Sequence, residues 1–89
     1  HTPGHTSVMV SSAGERAFIA GDLAHHPAQV DHTDWCSGFD GDPEKAIESR
    51  TKAFDLLEAD GLLAAMCQFP QPGFGKLVRL EGKRVFQAL

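Results

Sequence analysis

Two short apolar segments open the chain and are separated by a turn. Residues 7–11 and 16–20 are rich in apolar and β-branched side chains, whereas residues 12–15 are small or polar and include Gly14. Segments of this length on either side of a short glycine-containing turn are typical of a β-hairpin. The pattern therefore predicts two adjacent antiparallel strands.

A helix is predicted after a long irregular segment. Residues 23–41 show no apolar periodicity, and a loop of this length is more often functional than accidental. Asp42 and Pro43 then supply an N-cap and a first helical residue, and Gly61 supplies a C-terminal stop. The apolar residues between these signals fall on one stripe: Ala46, Ile47, Ala53, Phe54 and Leu57. We expect an amphipathic helix packed on a sheet.

The last third of the chain predicts three more strands. Residues 62–67 form a short continuous apolar run, which favours a buried strand and places Cys67 in the core. Residues 76–80 and 84–87 alternate like the two arms of a hairpin around Glu81 and Gly82. The whole chain therefore predicts a layered α+β arrangement, with a mixed sheet and one main helix.

Composition narrows the class of protein. The chain has 89 residues, 42% of them hydrophobic and 22% charged, which indicates one small globular domain or less. The net charge is −4 and the basic residues are scattered, which argues against nucleic acid as a partner. No apolar run approaches a membrane span, and two cysteines do not make a disulfide framework. A loose basic group is expected on the solvent faces of the last two strands: Lys76, Arg79, Lys83 and Arg84.

Candidate chemistry begins with the hexapeptide HTPGHT. His5 lies in a Pro-Gly turn before the first predicted strand, and Asp22 follows Gly21 at the end of the second. Taken separately, each residue is more often a surface turn residue or a helix cap. An imidazole and a carboxylate at paired strand ends are, however, ligands that suit zinc.

Three motifs together resemble one family. Thr-Pro-Gly-His-Thr at residues 2–6, Gly-Asp at residues 21–22 and CQFPQPGFGKLVR at residues 67–79 resemble the C-terminal part of the metallo-β-lactamase superfamily. The similarity is to the branch containing lactonase-like and phosphotriesterase-like hydrolases. It implies the C-terminal half of an αββα sandwich, with residues 1–89 as a single partial domain. The family's upstream His-x-His-x-Asp-His cluster is absent from the sequence, so we expect a fragment of a longer domain.

The resemblance also implies a metal site. His5 would be a metal ligand, and Asp22 would be the catalytic carboxylate that bridges zinc or another divalent metal, with up to two ions in the full-length parent. Gln68 stands where the branch has its final histidine ligand. Because an amide oxygen is a weaker donor to zinc than imidazole, the expected result ranges from weaker binding to loss of catalysis.

Other polar residues have weaker functional signals. His25 follows Asp22 by three residues. The simpler interpretation is that it lines the loop without binding an ion, and we expect it to contact the substrate there. His1 is expected to face solvent, and Asp40 to be a solvated loop residue, since the aspartates lack EF-hand spacing. A nucleophile formed by Cys36 and a nearby histidine is conceivable but has no further support.

Two functions remain open from the sequence. The first is a hydrolase of esters, lactones or phosphoesters that uses a metal-activated water on a small-molecule substrate, with these 89 residues inactive alone. The second is a noncatalytic module with a structural or self-associating role. In both cases the expected partner is the missing N-terminal half or a second copy forming a dimer, because half a domain exposes sheet edges. Nucleic acid and membrane are not expected partners.

Overall fold

A computed structural model describes residues 1–2, 4–36, 38, 40–70 and 73–89. They form one five-stranded sheet in the order β1-β2-β3-β4-β5. The strands are β1 (Val8–Ser12), β2 (Glu15–Gly21), β3 (Leu63–Met66), β4 (Phe74–Leu80) and β5 (Lys83–Ala88), and the main helix is α1 (Pro43–Asp60). Strands β2 and β3 are parallel and the other pairs are antiparallel, so the prediction of a mixed sheet with one main helix is confirmed.

The predicted hairpin forms at the first edge of the sheet. Ser12 pairs with Glu15 across a two-residue loop, in which φ is 52° at Ala13 and 81° at Gly14. Positive φ at both loop residues is typical of the tight turns that match the twist of paired strands. Strand β1 is the outer strand and all five of its residues are exposed, which leaves one edge of the sheet unpaired within the described residues.

Helix α1 begins and ends where its capping residues predict. The Asp42 side chain accepts a hydrogen bond from the Lys45 backbone N–H at 3.1 Å, and Gly61 ends the helix with φ 61°. The buried positions are Ala46, Arg50, Phe54 and Leu57. Within the described ranges no helix combines the length and apolar character needed to cross a membrane.

The core lies where α1 and the loop after β2 cover the sheet. Its largest fully buried apolar residues are Phe54, Leu57, Leu77 and Val30; Val30 comes from a short 3-10 helix, Pro27–Val30, within the irregular segment. Cys67 is exposed, so the prediction that it is a core residue is wrong. Strand β3 ends at Met66, and the chain turns outward immediately afterwards.

Ion pairs join α1 to the last two strands. Glu58 accepts hydrogen bonds from Arg79 at 2.9 Å and from Arg84 at 2.7 Å, and these two guanidinium groups lower the pKa of Glu58 to about 2. Arg84 also contacts Asp55 at 2.6 Å and its side chain is only 10% exposed. The prediction that Arg84 lies on a solvent face is therefore wrong, because the helix carboxylates cover it.

Candidate active site

The hairpin brings His5 and Asp22 together. His5 precedes β1 and Asp22 follows β2, and antiparallel pairing places these two strand ends side by side. The His5 Nε2 atom accepts a hydrogen bond from the Asp22 backbone N–H at 2.8 Å, across 17 residues of sequence. The imidazole is thus held against the backbone that carries the carboxylate.

Gly21 makes the close approach possible. Its φ is +63°, a region that side chains other than glycine rarely adopt, and a Cβ atom at this position would lie 2.7 Å from His5 Nε2. The Ser7 hydroxyl donates to the Ala20 carbonyl at 2.8 Å and holds the segment after His5 against the same strand end. The glycine of the Gly-Asp pair therefore provides space for the imidazole.

Gln68 contacts the same carboxylate from the neighbouring strand. It lies in the turn after β3, and because β2 and β3 run parallel, their carboxyl ends meet at one edge of the sheet. The Gln68 side-chain amide donates a hydrogen bond to Asp22 Oδ1 at 2.9 Å. The structure therefore brings His5, Asp22 and Gln68 together, with Gln68 as a hydrogen-bond donor to the carboxylate.

His1 also lies at this edge of the sheet. Its Nε2 atom is 3.8 Å from Asp22 Oδ2, its Nδ1 atom is 3.5 Å from Asp40 Oδ1, and its side chain is 22% exposed. The backbone N–H of Gly41 donates to the His1 carbonyl at 2.6 Å, which fastens the start of the chain to the end of the loop. The prediction that His1 faces solvent is wrong, because its ring lies against those of His5 and His25 and between two carboxylates.

Asp40 is buried beside Arg50, which the sequence did not indicate as a site residue. Both side chains are 0% exposed, and Arg50 Nη2 lies 3.4 Å from Asp40 Oδ2. Arg50 also donates to the carbonyls of Leu23, Thr33 and Trp35, at 3.0, 2.8 and 2.8 Å. The prediction of a solvated Asp40 is wrong because Arg50 anchors the loop around it. One signal was available: position 50 lies on the buried stripe of α1.

His25 lies beside the ring of His1. Its ring centroid is 5.1 Å from that of His1, and its backbone N–H is bound by the Gln29 side chain. It lines a cavity of about 340 Å³ shared with Trp35 and Cys36. A substrate contact by His25 stays a prediction, and Cys36 is exposed with its Sγ atom 3.7 Å from the Pro43 carbonyl.

A larger cavity opens beside His5. It has a volume of about 610 Å³ and lies between the start of the chain and the first half of α1. Its polar lining includes His1, His5, Lys45 and Ser49. Cavities of several hundred cubic ångströms are typical of sites for small molecules. A small ligand in this cavity would contact the imidazole of His5 directly.

Two solved structures resemble the chain along its whole length. One is the hydrolase AbOPH in the beta-lactamase superfamily, with a TM-score of 0.90, 32% identity, 99% of this chain covered and 31% of that chain. The other is AidC, a dizinc quorum-quenching lactonase in complex with a product, with a TM-score of 0.90, 28% identity, 99% of this chain covered and 30% of that chain. No protein-family model matches the chain. No curated protein sequence matches it either. The chain thus spans less than a third of the length of these two proteins.

Proposed function

We propose that this chain, which has the metallo-β-lactamase fold and corresponds to its C-terminal part, forms part of a metal-dependent hydrolase of esters, lactones or phosphoesters. One observation carries the proposal: the contact between His5 and the backbone of Asp22 places an imidazole and a carboxylate at one edge of the sheet. The hydrolase and lactonase character of the two structural neighbours supports it. Because these two neighbours are about three times longer than this chain, we propose the activity for a longer protein of which the chain is a part.

The types of side chain at this edge, an imidazole and a carboxylate, suit a divalent metal. His5 Nε2 accepts the backbone N–H of Asp22 at 2.8 Å, so the single lone pair of this nitrogen is already used, and the imidazole would have to release that hydrogen bond before Nε2 could bind an ion. Asp22 directs Oδ2 toward His1 and keeps Oδ1 on Gln68, so its carboxylate is held in one orientation. Imidazole nitrogen and carboxylate oxygen are the usual ligands of zinc at hydrolytic sites. We therefore propose that Asp22 and His5 would hold the ion, with the His5 ring releasing the Asp22 N–H when the ion binds.

Three residues of the chain would have separate roles in hydrolysis. A bound divalent metal supplies a water whose pKa is lowered to about 7 and a positive charge for the oxygen of the substrate. Asp22 would bridge the ions, and His5 would hold one of them in the turn before β1. Gln68 would fix the orientation of Asp22 through its amide N–H, a role of the kind that second-shell partners have at metal sites.

Gln68 also supports the alternative function. An amide that donates to Asp22 occupies the place where the resemblance implies the final histidine ligand, and it uses one carboxylate oxygen. This arrangement favours a noncatalytic module that keeps the fold with a structural or self-associating role. The two functions differ in metal occupancy, which can be measured directly.

The test is the metal content of the purified protein together with hydrolysis of a panel of small esters, lactones and phosphoesters. We expect bound divalent metal that falls at least about tenfold in occupancy in His5→Ala, and no loss in the control His32→Ala, because His32 is exposed and stacked on Trp35. Turnover that disappears with the metal would support the hydrolase. A folded, metal-free protein without turnover would favour the noncatalytic module.

A second variant tests the place of Gln68. In Gln68→His an imidazole replaces the neutral amide beside Asp22, and we expect tighter metal binding because imidazole is the better zinc ligand. Equilibrium dialysis against zinc measures the change. Unchanged occupancy in a folded variant would count against the equivalence of residue 68 with a ligand position.

A further inference from the structure

We infer that the face of the sheet opposite α1 binds the same face of a second copy of this chain in a symmetric dimer. Helix α1 lies on one face only, because its Glu58 side chain pairs with Arg79 and Arg84. Its Asp60 side chain pairs with Arg16 on that same face. Since successive residues of a strand point to opposite faces, the residues between these positions form the other face, which we call the open face. Its central apolar residues are Val8, Val10, Ile19, Ala65, Phe74 and Val78.

Strand pairing makes the open face one continuous apolar patch. Val8 pairs with Ile19, Ile19 with Ala65, and Ala65 with Phe74, so their side chains follow each other across four strands. Val8, Val10, Ile19 and Phe74 are 49, 46, 45 and 48% exposed. A contiguous exposed apolar patch of several hundred square ångströms marks an interaction site. The open face therefore has the composition of an interface.

The area of the open face is enough for a specific dimer. Five strands about 4.8 Å apart and about 20 Å long give a face of roughly 500 Å² per copy. Two such faces bury about 1,000 Å² in total, which is the lower limit for a specific interface. Sheets that pack face to face interdigitate their inner side chains in the same way. We expect a dimer that forms at micromolar concentrations and dissociates on dilution.

Two charges on the open face fix the symmetry of the dimer. Glu15 starts β2 and Lys83 starts β5, at the end of the sheet away from His5 and near its opposite edges. Neither forms an ion pair with another residue that the structure describes. A twofold axis parallel to the strands exchanges the two edges of the sheet and keeps its ends, so Glu15 of each copy would lie within about one strand spacing of the partner's Lys83. An axis perpendicular to the strands would place both charges over apolar residues.

The first experiment is sedimentation equilibrium of the 89-residue chain over a range of concentrations. We expect a dimer whose dissociation constant rises at least about tenfold in Ile19→Lys, because this change puts a charge at the centre of the interface. Leu56→Lys is the matched control: Leu56 is 40% exposed on α1, away from the open face, and the variant should associate as the wild type does.

The second experiment reverses the two charges. Glu15→Lys or Lys83→Glu alone places like charges together at both ends of the interface, so each should weaken the dimer at least about threefold. The double variant restores opposite charges and should recover the association of the wild type. Both residues are exposed, so circular dichroism should show folded variants.

Three results would overturn the inference. A wild-type chain that stays monomeric at about 100 μM, well above the micromolar constants expected of such an interface, would indicate that the rest of a longer protein covers the open face. Association that persists in Ile19→Lys, or that the double charge reversal does not recover, would place the contact elsewhere, such as the edge of β1. None of these measurements depends on metal or turnover, so the inference and the proposed hydrolase can fail separately.

Discussion

Replacing Arg50 by methionine removes the side chain that holds the loop before α1. The buried guanidinium contacts Asp40 at 3.4 Å and donates to the carbonyls of Leu23, Thr33 and Trp35 at 3.0, 2.8 and 2.8 Å. Methionine fills a similar volume and makes none of these contacts. The variant therefore leaves a buried carboxylate without its positive partner and the carbonyls of Leu23 and Thr33 without the guanidinium donor, whereas the Trp35 carbonyl keeps its hydrogen bond from Gln29 at 2.7 Å.

The expected cost follows from this geometry. Removing one member of a buried ion pair destabilises a protein by about 3–5 kcal/mol, because the remaining charge stays buried and unpaired. At about 0.05–0.15 kcal/mol per residue, a chain of 89 residues has a free energy of unfolding of roughly 4–13 kcal/mol. Arg50→Met should therefore remove a large part of the stability.

The assay is urea unfolding followed by circular dichroism, with Arg16→Met as the matched control. Arg16 pairs with Asp60 at 3.0 Å, but the two side chains are 44% and 36% exposed, so this control should lose only about 0–1 kcal/mol. Failure of Arg50→Met to fold where Arg16→Met folds would agree with the reasoning. A loss below about 1 kcal/mol for Arg50→Met, equal to that of the control, would refute it.

Three further predictions follow from contacts at the sheet. The pKa of Glu58 is lowered from 4.5 to about 2, so the stabilisation from its ion pairs is fully present above pH 4.5 and is lost as the pH falls toward 2. The midpoint of urea unfolding should therefore fall more over this pH range for the wild type than for Glu58→Gln. Gly21→Ala should lower the free energy of unfolding by about 1–2 kcal/mol because of its positive φ, and by more because the new Cβ displaces His5. Gly14→Ala is the control, since Gly14 also has a positive φ but open space around it, so thermal melts should show a smaller loss for this variant. The exposed edge strand β1 should support self-association, so light scattering should show a dimer or larger assembly that Val10→Lys weakens; a monodisperse wild-type monomer would contradict this.

Local patterns predicted the secondary structure because each element carries its own signal. Asp42, Pro43 and Gly61 mark the ends of α1, and the loop at Gly14 joins the two strands that flank it. Such signals depend on neighbours within a few residues, so a sequence displays them directly. The meeting of His5 and Asp22 was predictable for the same reason, since it follows from hairpin pairing.

Contacts made by the irregular loop were not predictable in this way. The burial of Asp40 and the position of His1 depend on contacts that the described residues between 23 and 41 make with α1 and with the start of the chain, and this segment has no periodic pattern to indicate its path. Arg50 escaped notice because a charged residue on an apolar stripe is usually assigned to the solvent side. The sequence placed Gln68 near Asp22, but it did not predict that the Gln68 amide donates a hydrogen bond to the carboxylate, since this depends on side-chain orientation.

Because β2 and β3 pair in parallel, the polar side chains at their carboxyl ends are not the residues whose backbone hydrogen bonds hold the sheet together. Asp22 and Gln68 each lie just beyond the last residue of their strands, so their side chains contact each other while the ladder is built from residues behind them. An exchange of one side chain at position 68 can therefore alter what the edge binds without breaking a backbone hydrogen bond. A fold with this division can change or lose a reaction in a single substitution and remain folded.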